Sequence, residues 1–306
     1  MKLNVEILDE MRVTPGEPAD LHARSTKRVS ADWLGPRDKD GRDKQRKKVA
    51  EEDLKEFVDE LSVAQDLLWA NGTHALLIVL QAMDAAGKDG TIKHVMSGVN
   101  PQGCRVVSFK QPSREELAHD FLWRGSKALP ALGAISIFNR SYYEDVLVTR
   151  VHPELLDKTH ERRSSGPDDE FWKDRYTDIN AFEHHLHRNK TRIVKVFLHV
   201  SKDEQKKRFL ERLEVPAKNW KFSLSDLAER EHWDQYQEAY EEALSATSTK
   251  WAPWYVVPAD HKYELRALVG GIVVDAIDRM NLSAPSVSGD TVAALERARA
   301  QLESET

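Results

Sequence analysis

Five short apolar runs punctuate this chain: Ala75 to Leu80, Val106 to Phe109, Ala134 to Phe138, Ile193 to Val200 and Trp254 to Val257. A helix-length polar stretch separates each from the next. Runs this short and this continuously apolar read as strands covered on both faces, because a half-exposed strand alternates apolar with polar residues. Strands that alternate with helices are joined by crossovers, so the pattern predicts an α/β fold with a parallel sheet flanked by helices.

The connecting segments carry their own signals. Ser113 with Glu116 and Ser201 with Glu204 have the spacing of capping boxes, in which each side chain satisfies an orphan amide at a helix start. Asp168 to Arg188 reads as one long helix and Ser223 to Leu244 as another, with Tyr236, Tyr240 and Leu244 at fourfold spacing. Leu54, Phe57, Val58, Leu61, Ala64 and Leu68 predict a helix that covers the sheet ahead of the first strand. From Ala23 to Lys48 the chain is polar and broken by Gly35, Pro36 and Gly41, which reads as an irregular or extended arm with solvated charges. The expected division is an arm over 1–50, a main α/β domain over 51–282 and a C-terminal extension over 283–306. In that extension Ser283 to Ser288 is turn-like, and Val292, Leu295, Ala298 and Leu302 mark a peripheral helix.

Of 306 residues, 40% are hydrophobic and 31% charged, enough for a large core under a well-solvated surface. The net charge of -6 argues against a generally basic nucleic-acid binder, yet it leaves room for a local basic channel. One cysteine, Cys104, rules out an intramolecular disulfide framework. Met1 to Asp20 lacks the basic end and apolar run of a signal peptide, and the apolar stretches at Ala75 to Leu80 and Ala267 to Ile277 are too short or interrupted to span a membrane. The expectation is a cytoplasmic protein with neither membrane nor nucleic-acid partners.

Between the first strand and a helix expected to begin near Thr91 lies Leu80-Gln-Ala-Met-Asp-Ala-Ala-Gly-Lys-Asp-Gly-Thr91, a modified phosphate-binding loop. The amides of Ala85, Ala86, Gly87, Lys88, Asp89, Gly90 and Thr91 and the positive helix end suit phosphate oxygens, and Gly87 and Gly90 permit close approach. Lys88 supplies a point charge to the phosphate. Ala82 replaces the usual first glycine, and Asp89 stands where Ser or Thr would bind magnesium. That makes Asp84 the candidate metal ligand, or the group that orients an attacking phosphate oxygen. The plain alternative is an Asp that only caps the loop.

The third run ends in Phe138-Asn-Arg-Ser-Tyr-Tyr-Glu144 at the same sheet edge, where open α/β sheets bind ligands. Arg140 is the candidate for neutralising phosphate charge, or else a structural partner of Glu144 or Asp145. Asn139 holds the place where many phosphate-loop enzymes carry a magnesium-binding Asp, and it can orient a metal-bound water. Tyr143 and Glu144 join it as candidate nucleotide contacts.

These blocks together resemble the polyphosphate kinase 2 family, in particular its class III branch, from about Asp53 to about Met280. After the phosphate loop come Met96-Ser-Gly-Val-Asn-Pro-Gln-Gly103, Phe109-Lys-Gln-Pro-Ser113, His119-Asp-Phe-Leu-Trp-Arg124, Arg208-Phe-Leu-Glu-Arg-Leu213, Pro216-Ala-Lys-Asn-Trp-Lys-Phe-Ser223, Ala252-Pro-Trp-Tyr255 and Ala259-Asp-His-Lys262, in family order. Asn139 and Ala82 look like departures typical of class III.

The resemblance implies a P-loop kinase-like fold with a helical lid at about 201–232. It implies Mg2+-dependent transfer of the terminal phosphoryl group of inorganic polyphosphate to AMP and ADP, and a homo-oligomer. It also implies catalytic roles for Asp84, Lys88, Arg140 and Arg208, with Arg212, Lys218 and Lys221 as further lid cations. For the polyphosphate chain itself, Lys93, Lys110, Arg114, Arg124 and Lys127 are candidates to line a cationic groove, each with a solvated surface charge as its plain alternative. The loop alone fits two other readings, an ATP-dependent nucleotide kinase and a non-catalytic nucleotide-binding protein. His184, His185 and His187 form a cluster without the carboxylates or spacing of a metal site.

Overall fold

A computed structural model describes residues 3–30, 33–35, 43–158, 167–286 and 289–305; Pro36, Gly41 and the last two positions of the 283–288 turn lie outside the described residues. In chain order the elements are α1 (Val5–Met11), α2 (Lys44–Asn71), β1 (Ala75–Ala82), α3 (Lys88–Val95), β2 (Cys104–Ser108), α4 (Trp123–Lys127), β3 (Ile135–Asn139) and α5 (Glu144–Val151). Then follow α6 (Asp169–Arg188), β4 (Thr191–His199), α7 (Lys202–Glu214), α8 (Leu224–Glu229), α9 (Trp233–Thr247), β5 (Trp254–Pro258), α10 (Lys262–Asp278) and α11 (Gly289–Glu303).

All five expected strands form one parallel sheet in the order β2-β3-β1-β4-β5. Strand β1 is central, and every one of its residues is buried, as a strand covered on both faces requires. Helices α2, α3 and α10 pack together on the sheet, and α5, α6 and α9 form a second packed group. The strand order reverses at β1, which sets the phosphate loop at the topological switch point. Helices α2 and α10 approach closely because Gly270 and Gly271 carry no side chain: a Cβ on Gly271 would sit 2.3 Å from Leu3 and 3.1 Å from Phe57.

Several local expectations are corrected. Helix α3 begins at Lys88, because Gly87 adopts φ +117 as its cap and the Thr91 amide makes the first bond back to the Gly87 carbonyl at 2.9 Å. The 223–244 segment is broken into α8, a 3-10 turn at Arg230–His232 and α9; Arg230 there donates to the Lys202 carbonyl and Gln205 Oε1, which ties the break to α7. Ser113 and Glu116 cap reciprocally but lead only into a single 3-10 turn. At α7, Ser201 Oγ caps the Glu204 amide while the Ser201 amide is taken by Asp260, which frees Glu204 for Arg208.

The segment before Lys48 is also more organised than its polarity suggests. Arg24 donates to the carbonyls of Ala19, Glu10 and Arg12, and the Val13 amide bonds the Trp254 carbonyl, so this stretch covers the free edge of β5. Helix α2 starts at Lys44, and its buried stripe continues upstream through Ala50 to Arg46, whose guanidinium lies 3.6 Å from the buried Glu264. An apolar-periodicity reading does not register a buried arginine.

Beneath the sheet, Lys195 of β4 is fully buried and engages all three ammonium donors: Glu183 at 2.6 Å, the Thr247 carbonyl at 2.7 Å and Tyr143 Oη at 2.9 Å. Tyr142 and Tyr143 both donate to the other Glu183 oxygen, at 2.9 and 2.8 Å. Burial lowers the Lys195 pKa while Glu183 opposes that shift, so the pair stands or falls together. Glu183→Ala therefore strands a buried ammonium and should destabilise the fold by about 3–5 kcal/mol. The double change Glu183→Leu with Lys195→Met should cost less, as read from urea unfolding midpoints; a single variant as stable as the parent would contradict this account.

Candidate active site

A cavity of about 1010 Å³ opens over the carboxyl ends of β1, β2 and β3 and extends beneath α7, the 3-10 turn Pro216–Lys221 and α8. It is lined by residues 84–91, by Lys110, Asn139 and Arg140, by Arg208, Arg212, Lys218 and Lys221, and by Lys262 and Arg266 at the start of α10. Nine lining side chains are basic and four acidic. In a chain of net charge -6, that bias gives the cavity a local positive field that favours anions.

The phosphate loop is built by satisfying its carbonyls from behind. Lys88 Nζ donates to Ala82 O at 2.9 Å and reaches Met83 O at 3.5 Å; Gln205 donates to Asp84 O at 2.9 Å; Arg208 donates to Ala85 O and Ala86 O at 3.0 and 2.7 Å. With those carbonyls held, the amides of Lys88, Asp89 and Gly90, which begin α3, have no intrahelical partner, and all three residues line the cavity. Ala85 at φ +58 and Arg140 at φ +64 are non-glycine residues in the left-handed region, a cost of about 1–3 kcal/mol each that the surrounding bonds must hold. The Arg140 amide is fixed by Leu80 O at 3.0 Å.

Arg140 bridges two carboxylates, Asp84 at 2.7 Å and Glu144 at 3.2 Å. Glu144 foremost, and then Asp84, raise its pKa above the ordinary arginine value, so the cation is permanent at the cavity floor. Of the two readings of Arg140, the ion pair is present, with Asp84 as well as Glu144, in a residue that lines the cavity. Lys88 differs: burial first, and then the Arg140 charge, lower its pKa to about 8. Asn139 donates to Asp89 at 2.7 Å, so these two departures from the usual loop chemistry are paired with each other. Thr91 Oγ1 is buried without a partner among the described residues.

Four sequence candidates are engaged in the scaffold or lie outside the cavity. Arg208 reaches the loop, but all five of its guanidinium donors are taken, by Glu204 Oε1 and the carbonyls of Ala85, Ala86, Ala259 and Asp260 at 2.7–3.0 Å. It clasps the loop to the β5–α10 turn, with no N–H left for a phosphate. Tyr143 is fully buried in the Lys195 network. Arg124 is buried, donates to Lys110 O at 2.9 Å and lies over the Phe109 ring, bracing the wall that carries Lys110. Lys93 is exposed on α3 outside the lining. Of the other groove candidates, Lys110 lines the cavity, whereas Lys127 packs on Trp123.

The reading of the sequence missed Gln205, Asp226, Lys262 and Arg266. Lys262 and Arg266 sit one helical turn apart, and that fourfold spacing just after the β5 end was the available signal. Gln205 carries no pattern of its own. His184, from the histidine cluster, packs on Trp251 at 4.4 Å.

A model of the Polyphosphate kinase 2 family matches residues 44–285. The chain is 53% identical over 235 residues to an ADP-polyphosphate phosphotransferase of Rhodopseudomonas palustris, covering 77% of this chain and 81% of that protein. It is 47% identical over 239 residues to an AMP/ADP-polyphosphate phosphotransferase of Meiothermus ruber, covering 78% and 85%. Among solved structures, the crystal structure of Polyphosphate Kinase 2 from Arthrobacter aurescens TC1 superposes with a TM-score of 0.82 at 39% identity, covering 96% of this chain and 95% of that one.

Two outcomes follow from the loop geometry. Arg208→Lys removes most of the carbonyl clasp and should lower unfolding stability by about 3 kcal/mol, since each buried group left unpaired costs about 1–3 kcal/mol; a variant of parental stability would place Arg208 outside the scaffold. For Lys88, deprotonation above its lowered pKa of about 8 removes a positive charge from the cavity wall, so kcat/KM for an anionic substrate should fall as pH rises through that value. At saturating donor the fall should move to higher pH, because a bound anion favours the ammonium.

Proposed function

The chain belongs to the Polyphosphate kinase 2 family, and on that premise we propose that it transfers the terminal phosphoryl group of inorganic polyphosphate to AMP and to ADP, giving ADP and ATP reversibly. The observation that carries this reading is the reach of positive charge past the phosphate loop. Arg212, Lys218, Lys221, Lys262 and Arg266 all line the cavity beyond the loop, with Lys218 and Lys262 meeting at the Glu211 carboxylate, a run suited to a long polyanion. The relatives' activities on AMP and ADP support the choice of acceptors.

In the reaction an acceptor phosphate oxygen attacks the terminal phosphorus, the new P–O bond forms, and the bridging P–O bond breaks to release a chain one unit shorter. The nucleophile is already ionised, so the protein's work is alignment and charge neutralisation. The free amides at the start of α3 and Lys88 hold the phosphate at the loop, and Arg140 meets the charge that develops on the transferring group. Asp84, held by Arg140 through Oδ1, fixes that guanidinium against the loop.

The oxygen donors present fit Mg2+, which takes one or two carboxylates and completes its shell with water and phosphate. Asp84 would hold it, with the unpartnered Thr91 hydroxyl close along the same loop. When bound, the ion neutralises phosphate charge. Adenine nucleotides as acceptors support a cytoplasmic setting, and the exposed Val292, Leu295 and Leu302 on α11 support a homo-oligomer.

The test is ATP formation from AMP, and separately from ADP, with Mg2+ and long-chain polyphosphate. Both acceptors should turn over, Lys88→Ala and Arg140→Ala should each lower kcat by about 10²–10³-fold, and polyphosphate affinity should weaken as salt is added. Turnover only when ATP replaces polyphosphate would sink the assignment in favour of an ordinary nucleotide kinase.

A further inference from the structure

Two aromatic side chains line the cavity, and only one of them is available. Phe109 is buried against Phe138 under the Arg124 guanidinium. Trp220 is 78% exposed at the cavity's lid side. The backbone around it is nonetheless pinned: Asn219 donates to the carbonyls of Arg212 and Leu213 at 2.8 and 2.9 Å, Arg212 donates to Lys221 O at 3.1 Å, and Phe222 packs edge-on against Phe209. A rigid turn thus carries an indole whose face touches little of the protein beyond Lys221, with Nζ 5.1 Å from the ring centroid. Leaving so large an apolar surface in water is unfavourable, and a flat π-face beside a cationic cavity matches a ligand that is anionic at one end and aromatic at the other.

We propose that Trp220 is the platform on which the acceptor's nucleobase stacks while the acceptor phosphate reaches the loop. The polyphosphate chain has no aromatic part, so this contact belongs to the nucleotide alone. Lys221, beside the ring, holds the phosphate of the same molecule or the adjoining chain, while Lys218 is paired with Glu211. This rests on the acceptor assignment above and specifies which side chain receives the base.

The experiment is steady-state kinetics of Trp220→Ala and Trp220→Phe with AMP and polyphosphate varied in turn, beside AMP titrations of tryptophan fluorescence without donor. Trp220→Ala should raise KM for AMP by about tenfold or more, the scale of a lost base–aromatic stack, and leave KM for polyphosphate unchanged. Trp220→Phe should recover most of that loss. The parent should show an AMP-dependent fluorescence change that Trp220→Phe lacks, the other tryptophans supplying the background. An unchanged KM for AMP, or an equal rise in KM for polyphosphate, overturns the proposal. Because the ring is exposed, its removal leaves the core untouched, and equal thermal unfolding of the variants checks this. AMP binding without turnover in the parent would instead count against the acceptor reading while leaving the fluorescence arm able to judge Trp220.

Discussion

A phosphate loop can turn its amides toward an anion only if its carbonyls find donors elsewhere, and the rest of this site depends on how that is done. Five consecutive carbonyls, Ala82 to Ala86, are met by Lys88, Gln205 and Arg208. The donors come from two places in the chain, Lys88 at the start of α3 and Gln205 with Arg208 on α7, so the loop conformation is set by the docking of α7 and by the first residue of α3. The left-handed Ala85 and Arg140 are affordable only inside that frame, since neither would hold such a φ in isolation.

The same logic of complete pairing runs below the sheet. Lys195 and Glu183 are buried in a position where an unpaired charge would be intolerable, and Tyr142, Tyr143 and Thr247 close the remaining valences. Tyr143 and Glu144 are neighbours in sequence but serve opposite sides of this division: one seals the core network and the other fixes Arg140 at the cavity. A buried pair of this kind also ties α6, β4 and α9 together beneath the strands that end at the site.

Charge is distributed by function more than by composition. The chain as a whole is acidic, yet the cavity gathers nine basic groups from the loop, the ends of β2 and β3, the 208–221 segment and α10. Those groups are not equivalent. Arg208 and Arg124 are spent on carbonyls and shape the walls, Lys218 and Lys262 share the Glu211 carboxylate, and Lys221 and Arg266 line the cavity with no such acceptor among the described residues. A basic residue near a phosphate site is therefore a scaffold or a ligand group according to whether its donors are already engaged.

The sequence alone determined the five strands, the parallel sheet and the place of the phosphate loop, because continuous apolar runs and a glycine-containing turn after a strand are local signals with local causes. That Lys88, Asp84 and Arg140 meet at one cavity was legible for the same reason. The tertiary structure decided what no local pattern encodes: that Arg208 holds carbonyls, that Tyr143 belongs to the core, that Gln205 supports the loop from 121 residues away, and that Lys262 and Arg266 complete the cavity. Hydrogen-bond donors have no preference written in their spacing; which acceptor each one meets is fixed only when distant helices pack, and that packing is what separated the scaffold from the site.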